Sequence, residues 1–458
     1  MTDFLFDYLP VIMFVTLLVL LFSGLPVAYV LGGVGLIAGW VGIELGVLRP
    51  AQFLSIMPRI WGGIAADVVL VAIPLFILMG SILEKSGIAE DLLECLKVLL
   101  ARVPGSMALA TILMGTIMAA TTGIVGASIV VLSLIALPTM LANSYSKQLS
   151  TGAIAAAGCL GVLIPPSIML VVMAEIMSIP VGPLFAAALV PGLLLSVLYL
   201  GYIVIACTIW PELAPRAALA DMPASGAAYL GLVLRGFVPV LTLIAFVLGS
   251  IYSGWATPTE AAGVGCVGAA ALAAMKGRLT GPVMRQVLEQ SALTNAMVFM
   301  IFIGATVFSF VFRVTGGDDL IIGLFTGLGL DSWGILLVLM ALIFVLGIPF
   351  EWPEITLIVL PVFYPVVKAL DFGDHLQTAA EVMPWFTMLC AVNLQTSFLT
   401  PPYGFALFYL KGTVPPSVTM SHIYRGVWPF VGMQLICLGL CIAFPDIVLG
   451  LPRAAGML

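Results

Sequence analysis

The sequence predicts an all-α polytopic membrane protein built as two inverted repeats, each with a re-entrant helical hairpin and a proline-broken span. Three observations carry that reading. The 458 residues are 62% hydrophobic and only 8% charged, whereas a soluble chain carries about a quarter of its residues as charge. Apolar runs such as 9–22, 68–79, 189–209 and 427–444, with their flanks, reach the ~20 residues that cross a bilayer. The order of segments then repeats once, with its sense reversed. Barrel strands would alternate in polarity and these runs do not, which leaves helices.

Hydropathy and helix breakers place spans near 10–22, 26–43, 67–84, 149–177, 183–209, 236–250, 255–275, 293–313, 383–411 and 427–449. The start, MTDFLFDYLP, is acidic and has no small-residue cleavage site, so the first span is expected to remain in the protein. Segments 106–142 and 332–368 are long enough to enter and leave the membrane, but each breaks in its middle. The first break is Thr121-Thr122-Gly123-Ile124-Val125-Gly126 and the second is Gly347-Ile348-Pro349-Phe350-Glu351-Trp352-Pro353. Both read as re-entrant hairpins, whose non-helical tips must be buried in protein or line a cavity. An amphipathic arm suited to the interface plane precedes each, at 88–102 and 318–330. The expected organisation is a first repeat over 1–210, a cytoplasmic connection over 211–234 and a second repeat over 235–458.

With the N-terminus outside, eleven Lys and Arg residues fall on the cytoplasmic side. Four, Arg49, Arg59, Lys368 and Arg453, fall outside, and Arg313 lies near an outer boundary. This is the positive-inside pattern. The first hairpin then enters from the cytoplasm and the second from the outer side. Inverted repeats of this kind mark secondary transporters with a site at the bilayer midplane.

The broken spans explain how such a site would be made. Span 149–177 contains Pro165-Pro166, and span 383–411 contains Pro401-Pro402, 236 positions later. Each proline removes an amide donor and disfavours helix at the residue before it. Unwound backbone leaves carbonyl oxygens without intrahelical partners, and half-helix ends add dipoles. A hard cation such as Na+ suits those carbonyls plus a Ser or Thr hydroxyl, and a helix N-terminus suits a carboxylate. The hydroxyls at hand are Thr121, Thr122 and Ser128, then Thr396, Ser397 and Thr400. One proline kink commonly binds nothing. Two at matching positions, each beside a Gly- or Thr-rich tip, favour a polar pocket.

Lone charges and aromatics leave alternatives open. Arg313 either attracts a substrate carboxylate or snorkels and pairs with Asp318 or Asp319. Glu351 and Glu354 at the second tip either help hold a cation or line a solvated cavity. Asp67 and Glu175 read as interface anchors, and Arg59 with Trp61 as part of an interfacial segment. Phe350, Trp352 and Tyr403 either wall a substrate pocket or pack, and Gly126 and Ser167 join Thr121 as pocket candidates. The seven cysteines show no metal spacing and read as packing residues; His375 and His422 are too few for a metal centre. The G-x-G-x-x-G at 263–268 lies inside a span with no preceding strand, so it reads as small-residue helix packing. No Walker A, HExxH or nucleophile-elbow pattern occurs, and a membrane-embedded enzyme has no sequence support.

The stretches LGVLIPPSIMLVV, LVPGLLL, TPTEAAGVG and NLQTSFLTPPYGFALFYLKG resemble the large membrane subunit of tripartite ATP-independent periplasmic (TRAP) transporters, over nearly the whole chain. The resemblance implies Na+-driven uptake of an organic acid across a bacterial inner membrane. A periplasmic substrate-binding protein would deliver the acid, and a small four-helix membrane subunit would brace the scaffold. It also implies an elevator, with hairpins and broken spans moving as one body. A first sodium site is implied at Thr122, Ile124, Gly161, Ile164 and Pro166. The family often has Ser-Gly-Ser at that tip where this chain has Thr122-Gly123-Ile124, so only the backbone carbonyl of Ile124 would serve. A second site would use Ser397, Thr400 and Pro402 with the tip near Gly347 and Pro349. NLQTSFLTPP is nearest to the branch linked with 2-oxo acids. The rival reading is a self-sufficient inverted-repeat carboxylate or ion transporter that needs no binding protein.

Overall fold

The computed structural model describes residues 2–122, 125–215 and 226–458, and among these there are helices and turns but no strand. The first half runs through α1 (Thr2–Phe22), α2 (Val27–Glu44), short α3 (Pro50–Leu54) and α4 (Ile56–Ile60), and a π-helical turn (Trp61–Ala65). It continues with α5 (Ala72–Lys85), α6 (Ile88–Leu99), α7 (Ser106–Thr122), α8 (Val125–Ala142), α9 (Lys147–Cys159), α10 (Ile168–Ile176) and α11 (Val181–Ile209). The second half has α12 (Gly226–Gly236), α13 (Val238–Tyr252), α14 (Pro258–Met275), α15 (Gly281–Val314), α16 (Gly317–Gly327) and α17 (Ser332–Gly347). Then follow α18 (Trp352–Glu354), α19 (Leu360–Lys368), α20 (Val382–Leu399), α21 (Phe405–Thr413), α22 (Met420–Ala443) and α23 (Asp446–Ala454). Seven of the described helices are long and apolar enough to cross a bilayer, or ten if bent pairs count as one span each. The expected all-helical polytopic class is the observed one.

Two layers organise these helices. α15 packs along α2 and α5, and α14 along α5 and α13, making an outer frame joined by α1. Inside it, α9 is held by α7, α8 and α22, while α20 is held by α17 and α22. Burial separates the layers: 94% of the span ending in α20 is buried, against 33% of α14. The broken segments therefore lie inside protein, where unwound backbone is tolerated at membrane depth. Small residues bring their neighbours close. A Cβ at Gly152 of α9 would overlap the Gly426 carbonyl of α22, and one at Gly426 would overlap the Gln148 carbonyl. Main chain touches main chain there, as small-residue membrane packing allows.

Some boundaries differ from the sequence reading. The span expected at 67–84 begins at Ala72, because Asp67 turns the chain by accepting the amides of Val69 (2.7 Å) and Leu70 (3.4 Å). The span expected at 293–313 is the 34-residue α15, whose extra polar turns carry an Arg285–Glu289 pair at 2.7 Å. The connection over 211–234 is not all loop, since α12 starts at Gly226; residues 216–225 lie outside the described residues. The last span, expected at 427–449, is two helices. α22 stops at Ala443 before Phe444-Pro445, and α23 is tied back by Arg453. That guanidinium grips Glu381 through Nε and Nη2, both at 2.8 Å, and also pairs with Asp446. Asp91 of the α6 arm accepts Lys276 at 2.6 Å and Arg278 at 3.2 Å, fastening the arm to the frame.

Candidate functional site

The first break follows from its prolines. α9 ends at Cys159, a 3-10 turn covers Leu160–Val162, and a cis Pro165–Pro166 peptide lies ahead of α10. In an α-helix the amides of residues 165 and 166 would bond the carbonyls of Gly161 and Val162, and prolines have none to give. Ser167 Oγ supplies the Val162 carbonyl instead, at 2.5 Å. Leu160 O takes the amides of both Leu163 and Ile164 at 3.1 Å. The Gly161 carbonyl is thus left without its helical amide, and the segment 158–167 is buried throughout.

The second break repeats the device. Pro401–Pro402 is also cis, and it deprives the Ser397 and Phe398 carbonyls of their i+4 amides. Thr400 N bonds Ser397 O at 3.1 Å, which tightens the last turn and leaves Phe398 O unserved by it. Three buried hydroxyls line the approach. Thr396 donates to Val392 O at 3.3 Å, Ser397 to Asn393 O at 3.2 Å and Thr400 to Thr396 O at 2.7 Å. Their protons point back along the helix, so their oxygen lone pairs stay available to a cation. Pro402 O already accepts the Tyr424 hydroxyl at 3.0 Å.

The hairpins flank these breaks. α7 ends at Thr122 and α8 begins at Val125. Gly123 and Ile124, with the side chains of Thr121 and Thr122, lie outside the described residues. In the second hairpin, α17 ends at Gly347 and Pro349 keeps 348–351 out of helix before α18. Gly347 sits on the second break, where an added Cβ would lie 2.7 Å from Ser397 Cβ. Asn393 Nδ2 holds the Met340 carbonyl of α17 at 2.7 Å, binding the hairpin limb to α20. Tyr409 of α21 links the two hairpins: it packs on Gly126 of α8 and donates to Glu351 Oε1 at 2.6 Å. Buried Trp352 faces a narrow gap shared with Val125, Phe398 and Phe405, while Phe350 rests on Phe22 of α1 with ring centres 5.4 Å apart. Glu354 is buried against α1.

Other expected site residues lie elsewhere. Tyr403 is 62% exposed and walls no pocket with the residues above. Aromatic type alone does not reveal which way a ring faces. Arg313 lines a cavity of about 680 Å³ and lies 4.0 Å from Asp318. That cavity separates the frame, with Arg59, Thr306, Ser309 and Arg313, from the inner layer, with Glu175 and Leu357. The Arg59 guanidinium lies 4.6 Å over the Phe310 ring. The sequence reading also passed over Tyr409 and the buried Gln395. Among the described residues no His/Cys/Asp/Glu cluster suits a transition metal. What the two breaks offer is carbonyl and hydroxyl oxygen, the donor set of a hard cation.

The family model described as tripartite ATP-independent periplasmic transporter, DctM component, matches residues 14–447. The chain belongs to that family. A TRAP family member of this kind is the large permease subunit of a secondary transporter, and its relatives are permeases rather than enzymes. The chain is 31% identical over 393 residues to the C4-dicarboxylate TRAP transporter large permease protein DctM of Pseudomonas aeruginosa, covering 85% of this chain and 87% of that one. It is 27% identical over 440 residues to the sialic acid TRAP transporter large permease protein SiaM of Vibrio cholerae, covering 95% and 96%. The crystal structure of the Alcanivorax borkumensis YdaH transporter matches with a TM-score of 0.60 and 14% identity, over 88% of this chain and 90% of that one. At that identity the likeness speaks for the fold alone.

Proposed function

We propose that this permease imports an organic acid together with Na+, the acid being handed over by a periplasmic binding protein. The single observation that carries the reading is the pair of buried breaks, 236 residues apart, each freeing carbonyls beside hydroxyls. In this reading Gly161, Ile164 and Pro166 with the first tip hold one cation, and Ser397 and Thr400 with Gly347 and Pro349 hold another. The substrate is a carboxylate, possessed alike by the C4-dicarboxylates and the sialic acid that name two relatives. A 2-oxo acid is the first to try. A small four-helix subunit braces the frame in the inner membrane, and the inner layer travels against it as an elevator. The outer cavity lies between those two layers and presents Arg59 and Arg313 to an arriving anion.

The test is reconstitution with the small subunit, followed by uptake of candidate acids with and without Na+ and with and without binding protein. Uptake that ignores Na+ sinks the coupling, and full uptake without the binding protein favours a self-sufficient transporter. Arg59→Gln is expected to raise the KM for the acid about fivefold at low ionic strength, with a smaller effect as salt screens the cavity. An unchanged KM would remove Arg59 from the path.

A further inference from the structure

The second hairpin carries an acid that neither break uses. Glu354 ends the short α18, and a π-helical turn over Ile355–Val359 follows directly. Only 8% of the residue is exposed. Its side chain lines a gap of about 10 Å³ between α1 and the hairpin, walled by Phe14, Leu17 and Leu21 of α1 and by Leu346 of α17. All nine residues that share this gap with Glu354 are apolar. Glu354 Oε2 is buried there and has no hydrogen-bond partner among the described residues.

The elements packed around Glu354 supply no counter-charge. α17 has no ionisable residue, and Tyr8 is the one ionisable side chain among the described residues of α1. Arg313 of α15 and Glu175 of α10 line the separate 680 Å³ cavity. Glu351, three residues earlier on the tip, is a second acid and accepts the Tyr409 hydroxyl; its charge disfavours another anion beside it. A sodium ion wants several oxygens, and the gap offers one carboxyl and the room of a single water at most. An ionised carboxylate is far costlier in such a place than a neutral acid with an unmet hydrogen bond. We infer that Glu354 is a proton-binding site: the neutral acid seals the second hairpin against α1, and loss of its proton opens that contact to water. On ionisation the carboxyl O–H bond breaks, the proton passes to water, and the carboxylate draws solvent into the gap. The site stands whether or not the breaks hold Na+.

Infrared titration of the permease reconstituted with its small subunit tests the proton. At neutral pH the native protein should show the carbonyl band of a protonated carboxyl, shifted in D2O and lost as the pH is raised. Glu354→Gln should remove that band, and Glu351→Gln should keep it. Glu354→Met, which fills the gap with an apolar chain, serves if Glu354→Gln does not fold. A native spectrum without the band at neutral pH, or a band that both Glu354 variants leave whole, overturns the site. Deuterium exchange follows the opening. At a pH where the band has gone, backbone amides over 14–21 and 350–359 should exchange about tenfold faster in the native protein than in Glu354→Gln at the same pH. Equal exchange in the two proteins overturns the opening.

Discussion

Replacing Gly347 by alanine should lower uptake about 100-fold, the loss that a misplacement of roughly 1 Å can cause at a site. The new methyl would lie 2.7 Å from Ser397 Cβ and 2.8 Å from Ser397 Oγ, with Leu394 Cδ2 at 3.3 Å. Carbon atoms rest at about 3.5–4.0 Å, so hairpin and broken span must part. Rotating the serine does not help, because its Cβ is fixed to the main chain. The strain of such overpacking is about 1–3 kcal/mol, so the protein should still be made and still enter the membrane. Its second break, however, loses the tip that closes over it. Adding Ser397→Gly to Gly347→Ala removes the collision and the hydroxyl together. That double variant should regain hairpin packing, seen as recovered melting temperature, while keeping a weakened response to sodium. Native uptake by Gly347→Ala would show that the tip is not part of the site.

Arg453→Ala should cost about 3 kcal/mol of stability, at the lower end of the range for breaking a buried ion pair. Only 4% of the Glu381 side chain and 17% of Arg453 are exposed, and the guanidinium meets the carboxylate with two parallel bonds. Without Arg453 the carboxylate keeps the amides of Gln377 at 2.8 Å and Thr378 at 3.4 Å, with no cation. Arg453→Lys retains a charge but not the fork, and should lose about 1 kcal/mol. Pairing Arg453→Met with Glu381→Gln removes both charges and should recover most of the loss. Melting in detergent with circular dichroism as the signal follows all three. An Arg453→Ala protein that melts like the native one would mean α23 is held by its apolar face alone.

Much of this architecture was legible in the sequence because membrane folds are governed by where apolar length and backbone breakage occur. Pro165-Pro166 and Pro401-Pro402 interrupt spans that hydropathy alone marks as continuous, and the structure unwinds at both. The hairpin tip at 348–351 was legible for the same reason, through Pro349. Boundaries outside the membrane were less so. Hydropathy ends where lipid ends, but α15 runs on through Arg285 and Glu289, because an i,i+4 pair supports helix in water. Pro445 did announce the split between α22 and α23, and the apolar run across it masked the signal. The site was read as residues on separate spans, and contacts between them have no signature in composition. Gln395 stood in view two positions before Ser397, at the spacing of the prolines, yet only packing shows that it reaches Cys159.

One plan used twice, upright and then upside-down, bears on which way cargo runs. A body with matched faces has no arrow of its own. On the proposed reading, the asymmetry that makes it fill a cell rather than drain one comes from its surroundings: more salt on one bank, and a courier that calls at only one door.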